Sequence, residues 1–275
     1  QGYVTAHDRL WQMEFQTHAA AGRLSEIISN PITLSMDRAK RRTGMLYAAE
    51  RSVKAMEADP IAKLMVEAYA DGVNAWINSL SYKDLPMEYK LLDYRPEPWT
   101  TLKSGLLLKL MAWDLTGRSE DFLVTNAVAV LGDSTYAALY PDLAPSTSPI
   151  IPKGTTWNVD TVKVQAPATF SPAARAPELS YPQPDPMNGS NNWVVGPSKT
   201  ANGHPIVCND PHLGLRLPSI WYEIQLSTPE HSVYGVSLPG SPAVIIGYNQ
   251  NICWGVTNAS RDVLDWYEVE FQDAN

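Results

Sequence analysis

The chain has 275 residues, a formal net charge of −8, 44% hydrophobic residues and 18% charged residues. This apolar content excludes wholesale disorder, and the length allows a sizeable core in one large domain or two. The acidic balance argues against a general nucleic-acid binder, which needs a basic face, and no apolar run reaches the roughly 18 residues of a membrane-spanning helix.

The first part reads as helical. Residues 8–14 are expected to open a helix, with Leu10, Met13 and the alanines at 19–21 as a rough apolar stripe. Ile61, Met65, Tyr69, Val73, Trp76 and Leu80 recur every three to four residues and predict an amphipathic helix. Asp59-Pro60 is a suitable start, because proline fits a first turn. Thr100 or Thr101 is expected to cap another helix reaching Trp113. A further helix over 119–130 would be stopped by Gly132.

The composition then changes. Residues 141–186 hold 10 of the 22 prolines, which predicts a linker or a segment that is removed. Beyond it, short runs rich in Val, Ile, Trp and Tyr predict strands at 192–195, 205–208, 220–226, 232–236, 243–246, 252–256 and 265–271. Asn249-Gln250-Asn251 suits a hairpin turn.

The usual catalytic signatures are missing from the sequence: no GxSxG elbow, HExxH, Walker A or strand-linked GxGxxG occurs. The five histidines show no paired metal spacing, so each is read first as a hydrogen-bonded structural residue. Cys208 and Cys253 lack CxxC spacing and are read as small buried apolar residues, with a single disulfide as the alternative. What remains is the junction at 187–197, MNGSNNWVVGP, where the proline-rich segment meets the first strand. Taken alone, Gly189-Ser190 there is a turn.

Four blocks together say more. They are residues 2–14 (GYVTAHDRLWQME), 20–27 (AAGRLSEI), 190–215 (SNNWVVGPSKTANGHPIVCNDPHLGL) and 238–267 (LPGSPAVIIGYNQNICWGVTNASRDVLDWY). In this order they resemble the penicillin acylase family of N-terminal nucleophile hydrolases. The resemblance implies an α+β fold, part of the αββα sandwich of that class, with a helical small subunit. Residues 1–145 would be the small subunit, truncated at its front. Residues 146–189 would be a spacer removed on maturation, and 190–275 the start of the large subunit, truncated behind. An opening Gln1 in place of methionine agrees with an internal fragment.

Family members are made as one precursor and cut themselves before a serine, here between Gly189 and Ser190. The chemistry suits those residues. A serine hydroxyl is a poor nucleophile until a base takes its proton. A freed α-amino group has a reference pKa of about 7.7–8.0, so Ser190 would carry its own base and need no triad. By position, the resemblance makes His212 a tuning or proton-transfer residue and the backbone N–H of Asn258 an oxyanion donor. The family's second oxyanion donor, an asparagine side chain, would lie beyond residue 275. Met111 and Leu115, with Trp193 and Ile245, would line the acyl pocket. Glu120, Asp262 and Asp265, with the Leu264 carbonyl, would bind a structural calcium, since carboxylate and carbonyl oxygens suit a hard cation. No organic cofactor is implied. The implied reaction is hydrolysis of a linear side-chain amide of penicillin type through an acyl-Ser190 ester, with a small-molecule amide as the partner. N-acyl-homoserine lactones are the alternative substrate. The mature form would be a heterodimer of the two cleaved subunits, periplasmic or secreted. A non-catalytic relative of the same fold, or an inactive fragment, is the alternative from another class.

Overall fold

The computed structural model describes residues 1–116, 121–141, 148, 151–152, 154–156, 189–259 and 264–266. Most of the proline-rich segment, and the strand expected at 265–271 past Trp266, lie outside the described residues. The helices in chain order are α1 (Gly2–Ala21), α2 (Pro31–Arg42), α3 (Met45–Ala58), α4 (Pro60–Ser79), α5 (Met87–Leu91), α6 (Thr101–Thr116), α7 (Asp121–Leu131) and α8 (Asp133–Leu139). The strands are β1 (Ser190–Val195), β2 (Ile206–Pro211), β3 (Tyr222–Ser227), β4 (Ser232–Ser237), β5 (Ile246–Asn249) and β6 (Cys253–Trp254). The chain divides into two units, 1–118 with 179–264, and 119–178 with 265–275. The described part of the second unit is chiefly α7 and α8, joined at Gly132. Among the described residues no helix is long and apolar enough to cross a membrane.

Local sequence explains most helix ends. Asp59 caps α4 as expected, its Oδ1 accepting from the amides of Ile61 (2.8 Å) and Ala62 (2.9 Å), with Pro60 in the first turn. Asn30 forms a capping box with Thr33 ahead of α2. Helix α1 begins at Gly2, well before the expected start at Asp8, and stops at Gly22, whose φ of 66° is left-handed.

The buried face of α4 is Val66, Tyr69, Ala70 and Val73, whereas Ile61 and Met65 are exposed. The reason is where α1 crosses it. A Cβ on Gly2 would lie 2.1 Å from the Tyr69 carbonyl oxygen, and one on Gly72 would lie 2.9 Å from the Tyr3 nitrogen. The two glycines let the backbones meet at 69–73, so the first turns of α4 project past the contact.

Two apolar clusters fill the helical layer of the first unit. Ala6, Leu10 and Met13 pack with Tyr69, Val73, Leu85, Tyr89 and Trp99. Ala20, Ala21, Met45 and Ala49 pack with Leu106, Leu110 and Trp113, and Leu264 lies against them. Beside these sits a buried polar network. Glu14 is 1% exposed and accepts from the Tyr89 hydroxyl (2.5 Å), the Glu97 amide (2.8 Å) and the Lys103 ammonium (3.3 Å). Arg23 and Lys103 both pair with Glu97. His18, also buried, bonds the Glu14 carbonyl through Nδ1, as a structural histidine should.

The strands form two antiparallel sheets, a two-stranded β1-β2 ribbon and a four-stranded meander in the order β3-β4-β5-β6. Together the described residues make an α+β arrangement. The run 243–246 is not the strand expected of it, since β5 starts only at Ile246. Ala243 has φ 143°, and its backbone N–H and C=O are taken by the Gln1 side-chain amide (3.1 and 3.2 Å). Asn249 builds the expected turn by accepting from Asn251 and Ile252. Both cysteines are free. Cys208 is half-buried, and Cys253 is exposed because it sits in the two-residue edge strand, so neither is the buried residue expected.

Two stability predictions follow from the network. Glu14→Gln removes one of the two carboxylates that face the buried Lys103 and takes the charge from the bonds to Tyr89 and the Glu97 amide, which should cost about 2 kcal/mol by the usual worth of a hydrogen bond to a charged group, measured by urea unfolding. Hydrogen bonding from Arg23, with the Lys103 charge, holds the Glu97 carboxyl down to about 2, against 4.5 for a free glutamate. A carboxyl depressed on folding adds stability above the unfolded value and loses it as pH falls toward the folded one. Between about pH 4.5 and 2 the Glu97→Gln variant should therefore lose stability less steeply than the parent, read from unfolding midpoints across that range.

Candidate functional site

The first unit places Ser190 at the first position of β1. The register pairs Ser190 with Pro211 and Val195 with Ile206. One residue past the Ser190–Pro211 pair, the amide of His212 continues the ladder and closes the end of the ribbon. It donates to the Gly189 carbonyl at 3.1 Å and lies 3.3 Å from Ser190 Oγ. The amide of His212 thus sits on both the carbonyl before Ser190 and the hydroxyl after it.

The His212 ring points elsewhere. Its Nε2 is 2.9 Å from Asp210 Oδ2, and both side chains are exposed. The closeness of His212 to Ser190 is therefore a main-chain contact.

A second segment, 255–258, is brought against the ribbon by Asn209. The Asn209 side chain donates to the Val256 carbonyl (3.0 Å) and accepts from the Val256 amide (2.6 Å), imitating one rung of a sheet. Gly255 makes room for this, because a Cβ there would stand 2.4 Å from Asn209 Oδ1. The clamp delivers Thr257, whose hydroxyl donates to the Ser190 carbonyl at 2.9 Å. It also delivers Asn258, whose side-chain amide donates to the Leu115 carbonyl at the end of α6 (2.9 Å). The site is thus built from the β1-β2 end, the 255–258 loop and the α6 terminus.

Among the expected pocket residues, Met111 lines a cavity of about 780 Å³ in the first unit. Its apolar wall includes Leu10, Trp11, Phe15, Leu110 and Leu213, and Asp114 and Arg216 supply polar groups. Burial raises the Asp114 carboxyl, while the charges of Lys40 and Arg216 pull it the other way. Burial also pushes the Lys40 ammonium down to about 8, with its Nζ 4.3 Å from the Trp113 ring centroid. Leu115, Trp193 and Ile245 are not among the cavity's lining residues. Leu115 serves through its carbonyl, Trp193 is exposed on β1, and the Ile245 carbonyl accepts from the Trp254 indole N–H. Of the four cation residues, Glu120 and Asp262 lie outside the described residues, while Leu264 belongs to the first unit and Asp265, exposed, to the second.

Sequence reasoning missed three residues here. Asn209, Thr257 and Asp210 do their work through strand register and a cross-loop clamp, which no local pattern announces. It also missed the cluster of Glu14, His18 and Glu97, whose ligand-type atoms lie within 4.8 Å of one another. That cluster already holds its cations, because the Lys103 ammonium is 3.3 Å from both carboxylates and Arg23 covers Glu97.

A serine held at a strand's first position, with a glycine carbonyl before it and a loop clamped beside it, defines the candidate site. The chain belongs to the penicillin amidase family, whose model matches residues 1–275. Among curated relatives it is 31% identical to the acyl-homoserine lactone acylase QuiP of Pseudomonas aeruginosa, over 97% of this chain and 31% of that protein. It is also 31% identical to the penicillin acylase 2 proenzyme of Pseudomonas sp. strain SE83, over 99% of this chain and 35% of that protein. The chain therefore spans about a third of the length of these relatives. Among solved structures, a thermostable penicillin G acylase from Alcaligenes faecalis aligns with a TM-score of 0.42 and 23% identity, covering 58% of this chain and 85% of that one.

The clamp makes a coupled prediction. Asn209→Ala loses two hydrogen bonds and should cost about 2 kcal/mol by the usual worth of such bonds. Gly255→Ala should cost at least as much through the clash with Asn209. Because that clash is with the side chain Asn209→Ala removes, the double variant should be more stable than the two losses added, a non-additivity read by a denaturation cycle.

Proposed function

We propose that the complete protein is an autoprocessed amidohydrolase. It cleaves itself between Gly189 and Ser190 and then hydrolyses a linear side-chain amide of penicillin type. The observation that carries this reading is the shared contact of the His212 amide with the Gly189 carbonyl and Ser190 Oγ, which sets the hydroxyl beside the peptide it would cut. The proenzyme in the name of the Pseudomonas sp. relative supports a cleaved precursor.

In turnover the freed α-amino group of Ser190 takes the hydroxyl proton, through a water, as Oγ attacks the substrate carbonyl. The Asn258 backbone N–H steadies the developing oxyanion, and a donor of this kind is typically worth about 2.7–4 kcal/mol. The amine leaves with a proton and water hydrolyses the acyl ester. The cavity lined by Leu10, Trp11, Phe15, Met111 and Leu213 suits an apolar acyl group. The calcium assignment to Glu120, Asp262, Leu264 and Asp265, the two-subunit mature form and the periplasmic or secreted location rest on the family resemblance alone.

A second reading keeps the chemistry and changes the substrate to an N-acyl-homoserine lactone. The name of the Pseudomonas aeruginosa relative favours it.

Ser190→Ala in the complete protein should abolish both self-cleavage and turnover. Mature subunits from that variant, seen by mass spectrometry, would refute the nucleophile. Comparing kcat/KM for phenylacetyl amides, β-lactams and acyl-homoserine lactones of varied chain length then chooses between the two substrates.

A further inference from the structure

We propose that the main-chain N–H of His212 is the oxyanion donor of the self-cleavage step. This inference rests on the cleavage reading above and assigns it a catalytic group. In the uncut chain the N–H donates to the Gly189 carbonyl oxygen at 3.1 Å, the oxygen on which negative charge gathers when that peptide is attacked. The same N–H is 3.3 Å from the attacking Ser190 Oγ, so one donor spans nucleophile and electrophile. Its place follows from the strand register. Ser190 and Pro211 face each other as a non-hydrogen-bonded pair, so the next rung of the ladder is the His212 amide on the scissile carbonyl. The other side of Ser190 is fixed by Thr257, which binds the Ser190 carbonyl at 2.9 Å. Asp210 holds the imidazole, which leaves the amide as the His212 group in contact with the reacting atoms.

The step balances without any further reactant but water. Ser190 Oγ bonds to the Gly189 carbonyl carbon, and the carbonyl electrons move onto the oxygen facing the His212 N–H. The intermediate collapses by breaking the bond from that carbon to the Ser190 nitrogen. The proton lost from Oγ goes to that nitrogen, giving a free α-amino group and a Gly189–Oγ ester. Water hydrolyses the ester to a Gly189 carboxylate and the Ser190 hydroxyl. A neutral N–H···O bond becomes charge-assisted as the oxyanion forms, so the donor acts more strongly in the transition state than in the precursor.

The test replaces a single amide by an ester in the complete precursor, made by cell-free synthesis with the α-hydroxy analogue of histidine at 212. An ester at Cys208, within β2 and away from the scissile bond, is the control. Appearance of the fragment beginning at Ser190 is followed by mass spectrometry. The ester at 212 should slow cleavage about 100-fold or more, the usual effect of deleting one such donor, and the ester at 208 by less than about 3-fold. Equal rates for the two ester chains, or an ester at 212 that cleaves like the parent, would overturn the proposal. A parent that never cleaves overturns the cleavage reading itself and this inference with it. A second measurement needs no ester. In the uncut Ser190→Ala precursor the His212 amide should exchange its hydrogen at least ten times more slowly than an open-chain amide, and open-chain exchange would equally overturn the proposal.

Discussion

Glu14 is a carboxylate in the middle of an apolar helix layer, and burying it unpaired would cost several kcal/mol. The chain meets that cost by bringing to it Tyr89 from α5, the amide of Glu97 and the ammonium of Lys103 from α6. Each partner comes from a different stretch of sequence, so satisfying one charge fixes how α1, α5, the 94–100 segment and α6 lie together. Apolar burial alone, which has no direction, would tolerate sliding among these helices. The carboxylate needs its donors at hydrogen-bond distance and so removes that freedom. Tyr89 and Tyr94 gain from the same arrangement, their hydroxyls kept protonated by burial and by the nearby Glu14 charge.

Fixing α6 has a consequence at its other end. The helix that begins near Lys103 ends at Thr116, and the Leu115 carbonyl there accepts from Asn258. Carbonyls in a helix's last turn have no partner within the helix, so an outside amide is needed, and here it belongs to the loop beside Ser190. The loop is thus held from two sides, by α6 through Asn258 and by β2 through Asn209. Between those anchors lies Thr257, bonded to Ser190 itself. Position at Ser190 is inherited, step by step, from the buried charge.

The parts visible in the sequence are those whose cause is local. Asp59-Pro60 announces α4 because the cap and the proline act within one turn, and Asn249 announces its turn for the same reason. Helix α1 starts without a capping side chain at Gln1, so nothing marks its first residues. The exposed ends of α4 and the position of β5 depend on distant partners, Gly2 crossing at Tyr69 and the Gln1 amide taking the backbone of Ala243. Periodicity sees neither. Ser190 itself was legible only as part of a set of family blocks, since Gly-Ser before a strand is by itself a turn. The clamp was not legible, because Asn209 meets Val256 only when the two strands and the loop are already in register.

The ribbon that carries Ser190 explains why so many side chains are spent on its neighbourhood. Two strands alone are marginal in water, so a two-stranded ribbon needs bracing from outside its own ladder. A reacting group displaced by about an ångström loses much of its effectiveness, so a loose ribbon would make a poor mount for the proposed nucleophile. Among the described residues, that bracing lies at the Ser190 end of the ribbon. The last rung sets the His212 amide on Gly189 and Ser190, Asn209 adds a rung that the backbone lacks, and Thr257 ties the Ser190 carbonyl. These bonds all converge within a few residues of the hydroxyl. Among the described residues the cross-links are thus gathered at the end of the ribbon where the proposed chemistry needs a fixed geometry.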